Sequence, residues 1–235
     1  MPDLIDAFAA AWQLVLTGDP TLVAIVSLSL GISLTAVLFA SVLGLPLGAL
    51  LAVLRFPGRN VLVVVVNALM GLPPVVAGLF VYLLLSRSGP LGDLGLLFTP
   101  TAMVIAQVVL VTPIIAAITR QVVEDLWQEY GELYTLDGVG RVRTVGSLLW
   151  LGRFGLLTAV LAGIGRAAAE VGAVLIVGGN IAGVTRTMTT AITLETSRGD
   201  LTLALGLGII LLSLILAINA TAQFVRNTAR RAAGI

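Results

Sequence analysis

Glu132-Leu-Tyr-Thr-Leu-Asp137-Gly138-Val-Gly140-Arg141-Val-Arg143-Thr144 lies at the centre of a polar island, residues 121–153, set between apolar stretches of membrane grade. Apolar residues recur at helical spacing between Glu124 and Leu151, but Gly131, Gly138, Gly140 and Gly146 interrupt them. That pattern predicts short helices joined by a glycine turn, because Gly-Val-Gly opens backbone conformations closed to other residues. Glu132, Arg141 and Arg143 then present charge around a small helix. Such a loop is either a plain solvated connection or a surface held by another protein, and its length inside a compact membrane protein favours the second.

The flanks decide the class. Of 235 residues, 58% are hydrophobic and 11% charged, which exceeds what a soluble domain of this length hides in one core. Five apolar stretches reach the roughly 20 helical residues that a bilayer core of about 30 Å requires. They fall near 24–54, 60–86, 99–119, 155–178 and 201–222. The first two are long enough to need a tilt or a kink, and Pro46 and the Pro73-Pro74 pair stand where a kink helps. Residues 1–20 read as an external interfacial amphipathic helix ended by Asp19-Pro20, residues 21–225 as the membrane domain, and 226–235 as a tail. Acids at Asp3 and Asp6 stand where a secretory signal carries positive charge, so no cleaved signal is expected.

All thirteen basic residues are arginine. Nine of them follow the first span, lie in the polar island or close the chain, and three, Arg87, Arg186 and Arg198, fall on the opposite side. The bias predicts an external N-terminus with the island and the C-terminus in the cytoplasm, an assignment that holds for an odd number of spans. A net charge of +1 gives no electrostatic case for binding nucleic acid. Cysteine and histidine are absent, which removes disulfides, thiolate or imidazole metal sites and a histidine base. An intramembrane enzyme would be left with serine or aspartate chemistry. Without a single lysine there is no Gly-x-x-x-x-Gly-Lys phosphate loop, so the chain carries no nucleotide site of that kind.

Other polar groups sit within or beside the apolar stretches. Arg166 and Glu170 are four apart, which on one helix places a guanidinium within reach of a carboxylate. A lone arginine at a helix centre costs about 2.5–3.5 kcal/mol, so the pair must face protein or a wet cavity. It either lends positive potential to an anion path or fixes helix packing, and mutual neutralisation favours packing. Pro73 and Pro74 remove two backbone donors, as at a cavity-lining break or a plain kink. Asn180, Thr185, Arg186 and Thr189 offer an amide, hydroxyls and one guanidinium, suited to weak hydrogen bonding of an oxyanion or to an ordinary external turn. Gly163, Gly165, Ala167, Ala168, Ala169, Gly172 and Ala173 allow close backbone approach, and Gly44 and Gly48 do the same around Pro46.

Glu132, Gly138 six positions on, and Leu148 after nine further residues resemble the cytoplasmic coupling loop of ABC importer permeases. In that family the pattern is Glu-Ala-Ala, three residues, Gly, nine residues, then Ile-x-Leu-Pro. Here Leu133-Tyr134 replaces the two alanines and Trp150-Leu151 replaces Leu-Pro. Arg166-Ala-Ala-Ala-Glu170-Val-Gly172-Ala, followed by Gly178-Gly-Asn180-Ile-Ala-Gly183-Val-Thr185-Arg186, is similar to the molybdate and tungstate permeases, closest to the tungstate branch. Gly44-Leu-Pro46-Leu-Gly48 and Leu72-Pro73-Pro74-Val-Val-Ala-Gly78 resemble them too.

The resemblance implies an all-α integral membrane protein with five transmembrane helices of the type I ABC importer permease fold, multi-pass in a prokaryotic inner membrane. It implies a homodimer, two cytoplasmic ABC ATPase subunits that hold the ATP and magnesium, and an external oxyanion-binding protein. No cofactor is expected on this chain. The coupling contact would rest on Glu132, Gly138, Gly140, Arg141 and Arg143, and the pathway or gate on Pro73, Pro74, Arg166, Glu170, Asn180, Thr185, Arg186 and Thr189. The rival reading is a self-contained secondary transporter or channel using the Arg166 and Glu170 pair.

Overall fold

The computed structural model describes residues 9, 12–13 and 16–232, apart from the side chains of residue 222 and of residues 225–232. The interfacial helix expected over residues 1–20 lies largely outside the described residues. Asp19, where that helix is expected to end, begins the next one: its carboxylate accepts the amides of Thr21 (2.9 Å) and Leu22 (3.1 Å), with Pro20 in the first turn. From there α1 runs over Pro20–Val53, followed by α2, Arg59–Met70, and α3, Pro74–Leu85. After a 3-10 turn at Gly92–Leu94 come α4, Pro100–Leu136, α5, Arg141–Leu151, α6, Arg153–Ala168, α7, Gly172–Gly178, α8, Met188–Arg198, and α9, Leu201–Ala232. Among the described residues there is no strand, in keeping with an all-α chain.

Three helices, α1, α4 and α9, are long and apolar enough to cross a membrane. The pairs α2 with α3 and α5 with α6 each have the composition of one further span, which gives three to five candidate spans. The expected third span is longer than its apolar core: α4 has 37 residues and carries the first part of the polar island as continuous helix. The expected second span is broken, not kinked. Gly71 and Leu72 close α2 by bonding back to Ala68 (3.1 Å) and Leu69 (3.1 Å), and Pro74 restarts the chain as the first residue of α3, where its missing donor is harmless. The expected fourth span also ends early, at Ala168. Glu170 therefore stands outside α6, and its placement with Arg166 on one helix face is corrected. Its carboxylate accepts the Ala173 amide at 2.9 Å, so the side chain starts α7 and does not prolong α6. α9 continues as helix to Ala232, through the start of the expected tail.

The chain divides into two compact units. The first draws on Met1–Thr35, Pro74–Gln107 and Ala168–Ile235, the second on Ala36–Pro73 and Val108–Ala167. In the first unit Leu22 and Ile25 of α1, Met188 and Ala191 of α8 and Leu207 of α9 form a buried core. There α3 packs on α7 so closely that a Cβ on Gly78 would stand 2.7 Å from the Ala173 Cα. In the second unit Val37 and Ala40, Val111 and Ile115, and Ala159 and Ala167 join α1, α4 and α6. The small surface expected around Pro46 meets α4, where a Cβ on Gly48 would stand 2.3 Å from the Ala116 carbonyl oxygen.

Candidate coupling turn and translocation residues

The glycine turn forms in the second unit where the sequence places it. After Leu136 the chain closes α4 with bonds from Gly138 N to Thr135 O (3.2 Å) and from Val139 N to Tyr134 O (3.0 Å). Gly138 takes φ +68°, the left-handed conformation that this closure requires and that other residues resist. Gly140 then caps α5 in an extended conformation, φ −63° and ψ 139°, that any residue can adopt. A Cβ there would meet nothing within 4 Å.

α5 has two faces. Thr144, Val145 and Leu148 are buried, the last two in a core with Ala49, Ala52 and Val53 of α1 and Val123 of α4. The other face leaves Val142 69% and Trp150 73% exposed, beside Leu136 at 84% before the turn. Glu132, Arg141 and Arg143 are exposed around the same turn. The structure thus brings all five expected coupling residues to one helix–turn–helix segment.

The expected pathway residues are less uniform. Pro73 ends the break before α3, and Pro74 opens that helix; Gly172 of α7 lies against Val75 and Pro74. Glu170 is 3% exposed, and its backbone carbonyl accepts the Thr189 hydroxyl at 2.7 Å. Thr185 is fully buried; its hydroxyl donates to Gly178 O (2.5 Å) and accepts from Ile181 N (2.9 Å). Asn180 holds φ +51° and donates to Thr190 O at 3.4 Å. Thr187 and Thr190 close a capping box on α8, and Ser29 of α1 accepts the Met188 amide at 2.7 Å. Most of the hydroxyls that the sequence offers to an anion are therefore engaged in building the first unit. Arg186 differs, since it borders a cavity of about 430 Å³ whose walls include Pro20, Ile25, Leu28 and Gly183. Arg166 occupies the last turn of α6 in a half-buried position.

Two carboxylates escaped the sequence reading. Glu124 receives Arg59 at 3.1 Å and Arg120 from one turn earlier, while Arg59 Nε donates to Leu51 O at 2.6 Å and satisfies a carbonyl in the last turn of α1. In the first unit Glu195, 6% exposed, lies 3.3 Å from Arg198 and 3.8 Å from Arg186. The spacings Arg120 to Glu124 and Glu195 to Arg198 were the available signals, since residues three and four apart meet on a helix.

Comparison with known proteins agrees with this architecture. Residues 44–231 match the family described as binding-protein-dependent transport system inner membrane component. A probable anion ABC transporter permease protein of Haloferax volcanii is 42% identical over 88% of this chain and 91% of its own length. The tungstate uptake system permease protein TupB of Peptoclostridium acidaminophilum is 38% identical over 94% of this chain and 96% of its own. Its namesake in Campylobacter jejuni is 32% identical over 96% and 94%. The chain therefore belongs to the family of binding-protein-dependent transport system inner membrane components, and it is a membrane permease subunit and not itself an enzyme.

Proposed function

We propose that this chain is the permease subunit of an ATP-driven importer for tungstate or molybdate. Two copies form the oxyanion pathway, two cytoplasmic ATPase subunits drive it, and an external binding protein delivers the anion. Five spans put the N-terminus outside and the C-terminus and the Gly138 turn in the cytoplasm, in accord with nine arginines against three. Residues 1–20 lie in the outer interface and residues 226–235 form the cytoplasmic tail. Closure of the ATPase pair on ATP moves the spans between inward-open and outward-open arrangements.

The observation that carries this reading is the two-faced α5. Its inner face is anchored on the ends of α1 and α4, so a push on its outer face reaches two of the three long apolar helices. The outer face exposes Val142 and Trp150. Arg141 and Arg143 stand in a first turn that contains no acid, where the helix dipole disfavours positive charge by about 0.3–1 kcal/mol each. Within the chain the Trp150 ring is met by the Arg153 guanidinium, 5.0 Å from its centre, and Val142 and the first-turn arginines suit a groove on a partner. The wider anion reading draws on the relatives, two of which are named for tungstate.

The test is uptake into vesicles holding the permease and its ATPase, supplied with binding protein and tungstate, molybdate or sulfate. Uptake that needs ATP and binding protein, and that prefers tungstate or molybdate, supports the proposal. Gradient-driven uptake by the permease alone would refute it and return Arg166 and Glu170 to the centre.

A further inference from the structure

At the joint between α1 and α2 the second unit has an open pocket of about 420 Å³ lined by Arg55, Phe56, Gly58, Arg59, Asn60 and Val61. Arg59 is committed elsewhere, to Glu124 and to the Leu51 carbonyl, and Arg120 shares the same carboxylate. Glu124 thus answers two guanidiniums with one charge. Arg55 takes part in no ion pair or hydrogen bond among the described residues, and both it and Asn60 are exposed. The polar end of the pocket therefore carries uncompensated positive charge beside an amide.

Its other end is apolar. Phe56 is exposed, and Val61, Val64 and Val65, three and four residues apart on α2, continue outward from it as an exposed stripe. A cationic, hydrogen-bonding mouth continuous with a bare aliphatic helix face fits an amphiphile better than a free ion. We propose that this pocket holds the phosphodiester of an anionic phospholipid. Arg55 pairs with the phosphate, for which a guanidinium offers two parallel donors, and Asn60 supplies a further hydrogen bond. The acyl chains lie along Val61, Val64 and Val65. A soluble tetrahedral oxyanion shares the phosphate chemistry but has no use for the valine stripe. The inference does not depend on which anion the permease carries.

The test uses the full chain in detergent, with phosphatidylglycerol and phosphatidylcholine titrated separately and bound lipid counted by native mass spectrometry. Wild type should prefer phosphatidylglycerol, and Arg55→Gln should weaken that lipid about fivefold, the effect of one interfacial arginine. Arg55→Lys, which keeps the charge but loses the paired donors, should fall between wild type and Arg55→Gln. Val61→Asp, which sets an acid at the mouth, should weaken phosphatidylglycerol at least as much, and millimolar tungstate should not displace the lipid. The substitutions fall on two exposed side chains, and thermal unfolding checks each variant. If Arg55→Gln fails to fold, Val61→Asp decides. Unchanged phosphatidylglycerol affinity in folded Arg55→Gln or Val61→Asp, or equal affinity for the two lipids in wild type, overturns the proposal. Displacement by tungstate overturns it as well, and assigns the pocket to a soluble oxyanion.

Discussion

The Gly138 turn and the Gly199 turn are closed by the same backbone device and end in opposite surroundings. Each puts a glycine in the left-handed region, at +68° and +81°. Each sends an amide back five residues, Val139 to Tyr134 and Asp200 to Glu195. The helix before Gly199 buries Thr187 at its cap, Thr189, Thr190 and Glu195 inside the first unit. The helix after Gly138 buries only one face and exposes Val142 and Trp150, the latter beside the Arg153 guanidinium. A glycine turn alone thus says little about function. What distinguishes the two is whether the large apolar side chains beside the turn are buried within the chain, and at Gly138 Leu136 and Val142 are not.

The largest expected effect falls on the self-satisfied unit. Gly78→Val sets a branched side chain against the α7 backbone and should destabilise the protein by about 3 kcal/mol, read as a lower thermal midpoint in detergent. Glu195→Ala comes next. It deprives two arginines of a buried carboxylate and should cost about 2 kcal/mol, discounted because Arg198 is exposed. A smaller loss than that of Gly140→Ala would mean that the first unit does not depend on this carboxylate. Gly138→Val and Gly199→Val sharpen it most. Both impose the same left-handed strain, about 1–2 kcal/mol, yet only Gly138→Val should reduce recovery of the ATPase with the permease. The smallest expected change in stability is that of Gly140→Ala, within about 0.5 kcal/mol, since its backbone is ordinary and its surroundings open. Its consequence should appear in ATP hydrolysis stimulated by loaded binding protein.

Hydropathy made α1, α4 and α9 legible, because unbroken apolar runs of that length admit few alternatives. The Gly138 turn was legible for a different reason: glycine there answers a backbone requirement that survives in the sequence. The extension of α4 to Leu136 was not, because Gly131 and the charges around it read as loop, while in the fold the Trp127 ring lies against Gly131. The stop at Ala168 was hidden by the run Ala167-Ala168-Ala169, which has high helix propensity. What ends α6 there is the Glu170 carboxylate bonding forward, together with the close approach of Gly172 to Val75. Arg59 and Glu124 are 65 residues apart, so periodicity carries no trace of their pairing. At the candidate site the residues expected at the coupling contact lie together on one helix–turn–helix segment. The sequence overstated the freedom of the threonine hydroxyls, because burial and backbone bonding are properties of the fold.

On the proposed function, the exposed face of α5 seats the ATPase. The most direct test is copurification of the ATPase with Val142→Asp and Trp150→Ala permeases, alongside Thr144→Val as an inner-face control of the same helix. The account predicts that both outer-face variants insert and fold as wild type but lose the ATPase, while the control keeps it. Full recovery of an ATPase with both outer-face variants, with stimulated hydrolysis intact, would contradict it.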